Sequence, residues 1–534
     1  MKRILLVLSL LLLILSNCKK ANLDEESFEK NKQASVFPTK KLQNPYSLTN
    51  MKKAYQNVFG KSDANIDVSH YYVKFMPKNE EELSSLESDK SLELYDYPLD
   101  YEPYEENESF HDPRVPKNQP TYLYAAVKKD YKFPNVDYEI LEKLFIPEEN
   151  DKYKNNEEFV DKLVYEALKI TNNLSDEEKE NNKSWLWPSK WRPAGRILVW
   201  DDIGASGNMI NYLNISNPKI IPLERAKVRA RRWFTTHVGY TNENGYFSCN
   251  GRFRRPANYS IVWESGTFDI RNGTFGQAYY NGPKKKGRWN LSIVSGKSLR
   301  YATIFRAACR YQYYNIGGLK RPNVWSKIKY SYYHRNQNNN EYAGINWGNW
   351  DFTGIFPNIR IFGKVNYNWV STNDLYSTTI HETAHASHIE LMNAGEIQFS
   401  QVSNIIRESW ADAVEWYITK IEYNWLGNHN YSNPNSPYNY PYRFIDNKQA
   451  YPWTIQYIQG KNYTPIFIDL VDNYNQRQHW GQSYPNDIIN EYSMHNIEQI
   501  LKHVYGVSSL KTKLKQNKPN GVTNTEIDNQ LSIY

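Results

Sequence analysis

The chain has 534 residues, too many for one small hydrophobic core, and its length favours about two to four domains. Aromatic residues make up 15% of the sequence, which supplies ample apolar surface for packed cores. The 65 basic and 58 acidic residues give a formal net charge of only +7, too small over this length to indicate a nucleic-acid partner.

The first residues have the pattern of an export signal. Lys2-Arg3 precede an apolar run from Ile4 to Leu15, which is too short for a mature membrane-spanning helix. The run ends in Leu15-Ser16-Asn17-Cys18, which resembles the lipobox of bacterial lipoproteins, with Asn17 in place of the usual Gly or Ala. The resemblance implies a signal peptide over residues 1–17 and a lipid on Cys18, and plain secretion is the alternative. We therefore expect an exported lipoprotein, anchored to the outer membrane or cell surface.

Two N-terminal regions follow the signal. Residues 18–45 are rich in Lys, Glu and Asn without hydrophobic periodicity and are predicted to form a tether. Residues 46–190 are predicted to form a small α/β domain with a linker, whose role as a folding aid or an inhibitor of the site stays open. Its predicted elements are a strand at Val68 to Met76, a capped helix at Asn79 to Leu86, a strand at Leu92 to Tyr97 and a helix at Phe159 to Ile170.

Residues 195–273 consist of short runs with strand propensity, separated by turns that contain Gly and Asn. Strands are predicted at 197–200, 226–233, 235–240, 245–253, 259–263 and 267–270. The segments Pro222 to Val228, Thr241 to Phe247 and Tyr259 to Ile261 resemble the carboxypeptidase regulatory-like, transthyretin-like β-sandwich. That resemblance implies a spacer or docking module without catalytic residues.

Basic runs and cysteines bear on partners and oxidation state. The runs Arg225 to Arg232 and Lys284 to Arg288 are predicted to lie on solvated faces, in keeping with no nucleic-acid partner. Beyond Cys18, only Cys249 and Cys309 remain, and their spacing leaves a disulfide between them open.

Residues 274–534 are predicted to form a C-terminal, mainly helical domain. Ser298 to Tyr314 is predicted to be a helix, and Phe356 to Gly363 a short strand whose edge can pair with an extended peptide. Ser371 or Thr372 can cap a following helix, and a further helix is predicted from Gln401 to about Trp425. The fold class predicted for the whole chain is multidomain α+β.

The sequence His381-Glu382-Thr383-Ala384-His385 falls on the first of these two helices. Side chains four residues apart share one face of a helix, so His381 and His385 can bind one zinc ion while Glu382 leans toward its open position. On the second helix, Glu408 and Asp412 are like charges four residues apart, which is unfavourable unless a cation or a histidine lies between them. Both patterns indicate a metal site.

The pair of motifs resembles the gluzincin metallopeptidases, which hold zinc through the two His of His-Glu-x-x-His and a Glu that opens a Glu-x-x-x-Asp segment. The resemblance implies a zincin-like fold for residues 274–534, with His381, His385 and Glu408 as ligands of Zn²⁺. It further implies that Asp412 accepts a hydrogen bond from a zinc-bound His and that Glu382 is the general base.

The sequence leaves other assignments open. The three-His pattern of metzincins fails because His388 replaces its Gly and Leu391 its third His, so His388 is predicted to line the pocket or support a ligand. Glu415 is an alternative ligand one turn beyond Asp412. A second oxyanion donor is expected from the C-terminal helical region, and His495, Tyr492 and His479 are its candidates, with His495 preferred.

The function predicted from these residues is zinc-dependent hydrolysis of peptide bonds, most simply as a membrane-anchored endopeptidase acting on protein or peptide substrates. The alternative is a surface binding or adhesion lipoprotein in which zinc has a structural role. The presence of Glu382 beside a complete ligand set favours the enzyme, since a structural site needs no base.

Overall fold

Helices and antiparallel sheets occur together in the computed structural model of this protein, as the α+β class requires. The structure describes residues 40–60, 66–105, 109–176, 179, 189–201, 219–322, 327–336, 344–346, 358–365, 368–392, 399–427, 464–473, 475, 477–478, 481–482 and 486–534. The predicted signal peptide, Cys18 and His479 lie outside these residues, as does most of the predicted tether.

The helices within the described residues, in chain order from α1 to α9, are Leu48–Phe59, Glu80–Ser88, Glu157–Ile170, Gly296–Tyr313, Thr372–Leu391, Asn404–Gly427, Met494–Leu501, Val507–Gln516 and Asn524–Gln530. The strands, from β1 to β17, are His70–Phe75, Leu123–Lys128, Tyr138–Leu144, Ala194–Asp201, Lys219–Pro222, Lys227–Arg232, Thr235–Tyr240, Tyr246–Ser248, Ala257–Val262, Phe268–Asn272, Gly276–Gln277, Tyr279–Lys285, Trp289–Ile293, Ile328–Asn336, Gly344–Asn346, Asn358–Val365 and Asn368–Trp369.

The N-terminal region is built on a three-stranded antiparallel sheet with the order β2-β1-β3. Asn79 caps α2, as predicted, because its side-chain oxygen accepts a hydrogen bond from the Glu82 N–H. The strand predicted at Leu92 to Tyr97 is wrong, since this segment forms only an isolated bridge, Tyr95 to Tyr124. Its side chains instead contact the central region, where Arg229 lies 4.2 Å from the Tyr95 ring centroid.

Two four-stranded sheets follow, one with the order β12-β9-β6-β7 and one with β13-β4-β5 in which β8 also pairs with β4. All the strands predicted between residues 195 and 273 are present, although β5 was not predicted. Strands β12 and β13, which follow Gly273, pair with β9 and β4. The sheets therefore continue past residue 273, while the domain boundaries themselves stay predictions.

The basic run on β6 is not a solvated face. Arg229 and Arg231 are each only 3% exposed, because their guanidinium groups pack over the ring of Tyr95 and Arg229 also pairs with Glu93. Cys249 and Cys309 are both buried free thiols, which answers the open question of a disulfide between them.

A six-stranded mixed sheet has the order β11-β10-β14-β16-β15, and β17 also pairs with β16. The strand predicted ahead of the motif helix is β16, but the prediction that it is an edge strand is wrong. It pairs with β14 on one side and with β15 and β17 on the other, so within the described residues β15 and β17 lie at this edge of the sheet. The three residues of β15 carried no clear periodic signal, which is why sequence analysis placed the edge one strand too early.

Helix α5 lies between α4 and α6 and packs against β15 and β16. Apart from Asp374, Thr378 and Glu390, all of its residues are buried, and Ile380, Ala384 and Ile389 join a hydrophobic core that also includes residues of both four-stranded sheets. Burial on every side gives the helix one fixed rotation about its axis, so the directions of its polar side chains are fixed as well.

Candidate metal centre

The first part of the site is the face of α5 that carries the two motif histidines. Ser371 begins this helix by accepting a hydrogen bond from the Asp374 N–H at 3.0 Å, one of the two caps that the sequence allows. His381 and His385 then lie one turn apart with ring centroids separated by 4.9 Å. Their exposed fractions are 8% and 7%, so both rings are held in place by packing.

Helix α6 supplies the third group. Oε2 of Glu408 lies 3.5 Å from Nε2 of His381 and 3.3 Å from Nε2 of His385. A tetrahedral ion bound at about 2.1 Å separates its ligand atoms by about 3.4 Å, so the observed spacing fits one such ion. These three side chains can therefore hold a metal ion, with one coordination position left for another ligand.

The charges of the site also favour a cation. Burial by itself would raise the pKa of Glu408, but the adjacent His385 and His381 hold that pKa well below its ordinary value. Burial would likewise lower the pKa of His381, yet hydrogen bonds to neighbouring carboxylates raise it well above its ordinary value. Several buried carboxylates thus surround two imidazoles, and a bound cation would offset their negative charge.

His381 has two carboxylates at its other ring nitrogen. Oδ1 of Asp412 lies 3.1 Å and Oε2 of Glu415 3.0 Å from Nδ1 of His381. Asp412 occupies the place that the resemblance implies. Glu415, the alternative ligand, is not in the group with His385 and Glu408, but with His381 and Asp412 it forms a second group that could hold an ion. The signal for Glu415 was its position three residues after Asp412, on the same face of α6.

Glu382 is 5% exposed and lies on the same buried helix. Burial raises its pKa above the ordinary range, since the charged form of a carboxyl loses solvation there. The charges of His381 and His385 act in the opposite direction, so Glu382 is electrostatically coupled to both. A raised pKa makes this carboxyl a stronger base than an ordinary glutamate, which is the change that a general base requires.

His388 does not join the ligand group. Its ring is 1% exposed and packs edge-on against Phe399, with centroids 5.0 Å apart. Burial, with the positive charges of His385 and Arg407, lowers its pKa to about 3, and neither ring nitrogen has a hydrogen-bond partner within the described residues. His388 is therefore a buried, neutral residue packed against Phe399, and its role in lining the pocket or supporting a ligand stays a prediction.

His495 is not part of the ligand group, and its assignment as an oxyanion donor stays a prediction. Its Nδ1 lies 2.9 Å from the carbonyl oxygen of Gly318, beside a surface cavity that Glu390 also lines. Glu390 is eight residues after Glu382, which is about 12 Å along the helix axis. Tyr492 is structural, because its buried hydroxyl donates to the Leu514 carbonyl at 3.0 Å.

A separate acidic group consists of the buried residues Asp469, Asp472 and Asp487, whose carboxylates are also close enough to share an ion. Gln530 donates to Asp487 at 3.0 Å, and the Tyr534 hydroxyl donates to Asp469. These bonds attach Gln530 and Tyr534, near the C-terminal end of the chain, to the acidic group. The group has no histidine and no base comparable to Glu382.

No protein-family model matches this chain, and no curated protein is significantly similar to it. The site must therefore be interpreted from its own geometry. Among the helices that the structure describes, none combines the length and apolar character that a bilayer crossing requires.

Proposed function

We propose that this chain is a zinc-dependent peptidase of the gluzincin type. The observation that carries the proposal is that Oε2 of Glu408 lies 3.5 Å from Nε2 of His381 and 3.3 Å from Nε2 of His385, beside the buried carboxyl of Glu382. Two neutral imidazoles and one carboxylate are a ligand set that zinc uses in catalytic sites, where a water occupies the fourth position.

The chain's own residues divide the chemistry of peptide hydrolysis between them. A bound zinc ion would supply a Lewis acid that lowers the pKa of a coordinated water toward neutrality. Glu382 takes the proton of the attacking water and later delivers it to the leaving amine. Asp412 and Glu415 accept a hydrogen bond from the Nδ1–H of His381, which keeps Nε2 free to bind the metal.

We also propose that the protein acts outside the cytoplasm, tethered by a lipid on Cys18. The support is the sequence alone, namely the basic residues, the apolar run and the lipobox-like end of residues 1–18. Protein or peptide substrates in the surroundings of the cell would then be its targets.

The test compares the purified full chain with Glu382→Gln and with Glu81→Gln, an exposed matched control at the start of α2. Each protein is assayed for bound zinc and for cleavage of a peptide library read by mass spectrometry. We expect all three to bind one zinc, and Glu382→Gln to lose on the order of 10² to 10⁴ in rate, the usual contribution of a general base. Zinc binding without any cleavage by the wild type would instead favour the binding or adhesion function.

A further inference from the structure

A group of cations surrounds an exposed tryptophan at the N-terminal end of α5. We define the cationic patch as Lys297, Arg300, His334, Lys364 and Trp369. Nζ of Lys364 lies 4.3 Å and the Arg300 guanidinium 5.6 Å from the centroid of the Trp369 ring, and the His334 ring lies 4.5 Å from it. Trp369 is nevertheless 44% exposed, so its indole presents an apolar surface bordered by positive charge.

The cations of the patch lack carboxylate partners in the part of the chain that the structure describes. Arg300 donates to the Val370 carbonyl, while Lys297 and Lys364 form no ion pair there. Elsewhere on the protein, by contrast, Lys227 and Lys327 both pair with Glu264. The patch therefore concentrates positive charge that the described fold leaves uncompensated.

The charge state of His334 reflects this concentration. Partial burial, followed by the charges of Lys297, Arg300 and Lys364, lowers the pKa of His334 to about 4. At neutral pH the patch thus carries three positive charges, and the imidazole is neutral. A neutral His334 ring, tilted by 40° against the Trp369 ring, does not add to the repulsion among the cations.

Backbone pairing and close packing hold Trp369 in place. Trp369 pairs with Lys364 across β17 and β16, and its ring covers Gly363. A Cβ at residue 363 would approach the Tyr332 hydroxyl to 2.2 Å and the Trp369 ring to 3.2 Å, so glycine is needed there chiefly to leave room for Tyr332. A binding surface that is already ordered loses little conformational entropy when a ligand arrives.

The position of the patch relates it to the metal site. Trp369 lies just before α5, and His381 is nine residues after Thr372, the first residue of that helix. This separation is about 14 Å along the helix axis. An extended peptide rises about 3.3 Å per residue and covers the same distance in about four residues.

We propose that the cationic patch binds a carboxylate-rich segment of the protein substrate, about four residues from the bond that is cut. The inference rests on the proposed peptidase function. The three cations attract acidic side chains, and the Trp369 indole packs against their aliphatic stems. A nucleic acid or sulfated polysaccharide is bound by a long stripe of cations, whereas three charges around one ring match a short acidic run.

The test measures binding separately from cleavage by using the zinc-loaded full chain with Glu382→Gln. A fluorescent peptide with a central run of Glu is titrated beside the same peptide with Gln. The added variants are Lys297→Gln/Lys364→Gln, Trp369→Ala, and the charge-matched control Lys52→Gln/Lys53→Gln on the exposed face of α1. We expect the Glu peptide to bind about five- to tenfold more tightly than the Gln peptide, a preference that only the patch variants remove.

Equal affinity for the two peptides, or the same loss of affinity in the Lys52/Lys53 control, would overturn the patch proposal. So would a heparin fragment that binds at the patch more tightly than the Glu peptide. The two proposals fail separately. Patch-dependent binding by a wild type that cuts no peptide overturns the peptidase function and leaves the binding site standing, and cleavage without patch-dependent binding overturns the patch alone.

Discussion

The two nitrogens of the His381 ring have different partners. Nε2 faces Glu408, and Nδ1 faces the carboxylates of Asp412 and Glu415. One N–H group cannot make two full hydrogen bonds at once, so the two carboxylates share it. Residues in this position orient the imidazole and raise its basicity as a ligand. Because two carboxylates lie at one ring nitrogen, the loss of either one leaves the other to orient the His381 ring.

We therefore predict that Asp412→Asn and Glu415→Gln each weaken zinc binding less than the two changes together. The double variant should lose about 10- to 100-fold in zinc affinity, the usual effect of removing the group that orients a histidine ligand. Competition titration with a chromogenic chelator measures it, after circular dichroism has shown that each variant is folded. Wild-type affinity in the double variant would show that neither carboxylate supports His381.

A second prediction at the residue scale concerns the effect of His388 on stability in acid. Because its pKa is lowered to about 3 in the folded state and is about 6.5 in the unfolded state, the unfolded chain binds more protons between these values. Stability attributable to His388 is thus full above pH 6.5 and lost as pH falls toward 3, by roughly 1.4 kcal/mol per pH unit.

His388→Phe keeps an aromatic ring against Phe399 and removes this proton uptake. Urea unfolding of the metal-free proteins at pH 7 and pH 5 should show the smaller loss of stability in the variant. An identical pH dependence in both proteins would mean that the His388 ring takes up a proton in the folded state.

At the scale of elements, four pieces of the fold meet at one buried carboxylate. Asp201 ends β4, and its oxygens accept from Arg306 on α4, from Thr372 at 3.1 Å and from Tyr423 at 3.2 Å. Thr372 is the first residue of the helix that carries the metal motif, and Tyr423 lies on α6, the helix that carries Glu408. Asp201 therefore helps set the relative positions of the two helices that form the site.

Removing the cation from this group should be costly. We predict that Arg306→Met destabilises the fold by about 3 to 5 kcal/mol, because Asp201 would stay buried without a cationic partner and Glu422 would keep only Arg310. Arg310→Met is the matched control, since Arg310 is on the same helix, is more exposed and pairs with Glu422 alone, so it should cost about 1 kcal/mol or less. Urea denaturation compares them, and equal losses would contradict the role given to Asp201.

Elements differ in how far the sequence predicts them. Helices α2 and α5 and their caps, Asn79 and Ser371, were predicted because a cap and a helical stripe are local signals. The metal ligands are predictable for the same reason, because the residues of each motif lie within one or two turns of a single helix. Strand pairing has no such local signal. The edge position of β15 and the pairing of β12 with β9 depend on residues that are distant in sequence.

The position of His495 was beyond prediction for the same reason. His495 belongs to no local pattern that includes the metal ligands, and its contact with Gly318 joins residues 177 positions apart. Glu415, in contrast, had a local signal in its spacing from Asp412, and only the second acceptor role at His381 was missed.

At the scale of the whole molecule, a buried charge group joins the N-terminal region to the six-stranded sheet. Arg271 on β10 is fully buried and donates to both oxygens of Glu87 on α2 at 2.7 Å each. It also pairs with Asp269, and Lys329 on β14 contacts Glu87 at 3.4 Å. The N-terminal region is thus attached through specific ionic contacts, although its effect on the site stays open.

We predict that Arg271→Met weakens this attachment and lowers the free energy of unfolding by about 3 to 5 kcal/mol, because two carboxylates lose their common partner in a buried setting. Lys284→Gln is its control: the Lys284–Glu102 pair joins the N-terminal and central regions but is 45% exposed on both sides, so it should cost less than about 1 kcal/mol. Similar unfolding midpoints for wild type and Arg271→Met would contradict the account.

The central claim is that His381, His385 and Glu408 bind zinc and leave one position open. X-ray absorption at the zinc edge of the zinc-loaded full chain tests it most directly. The account predicts one zinc with two histidine nitrogens and oxygen ligands at about 2.0 to 2.2 Å, and loss of that zinc in Glu408→Ala but not in His388→Ala. A zinc bound by four protein side chains, or retention of the same coordination in Glu408→Ala, would contradict it.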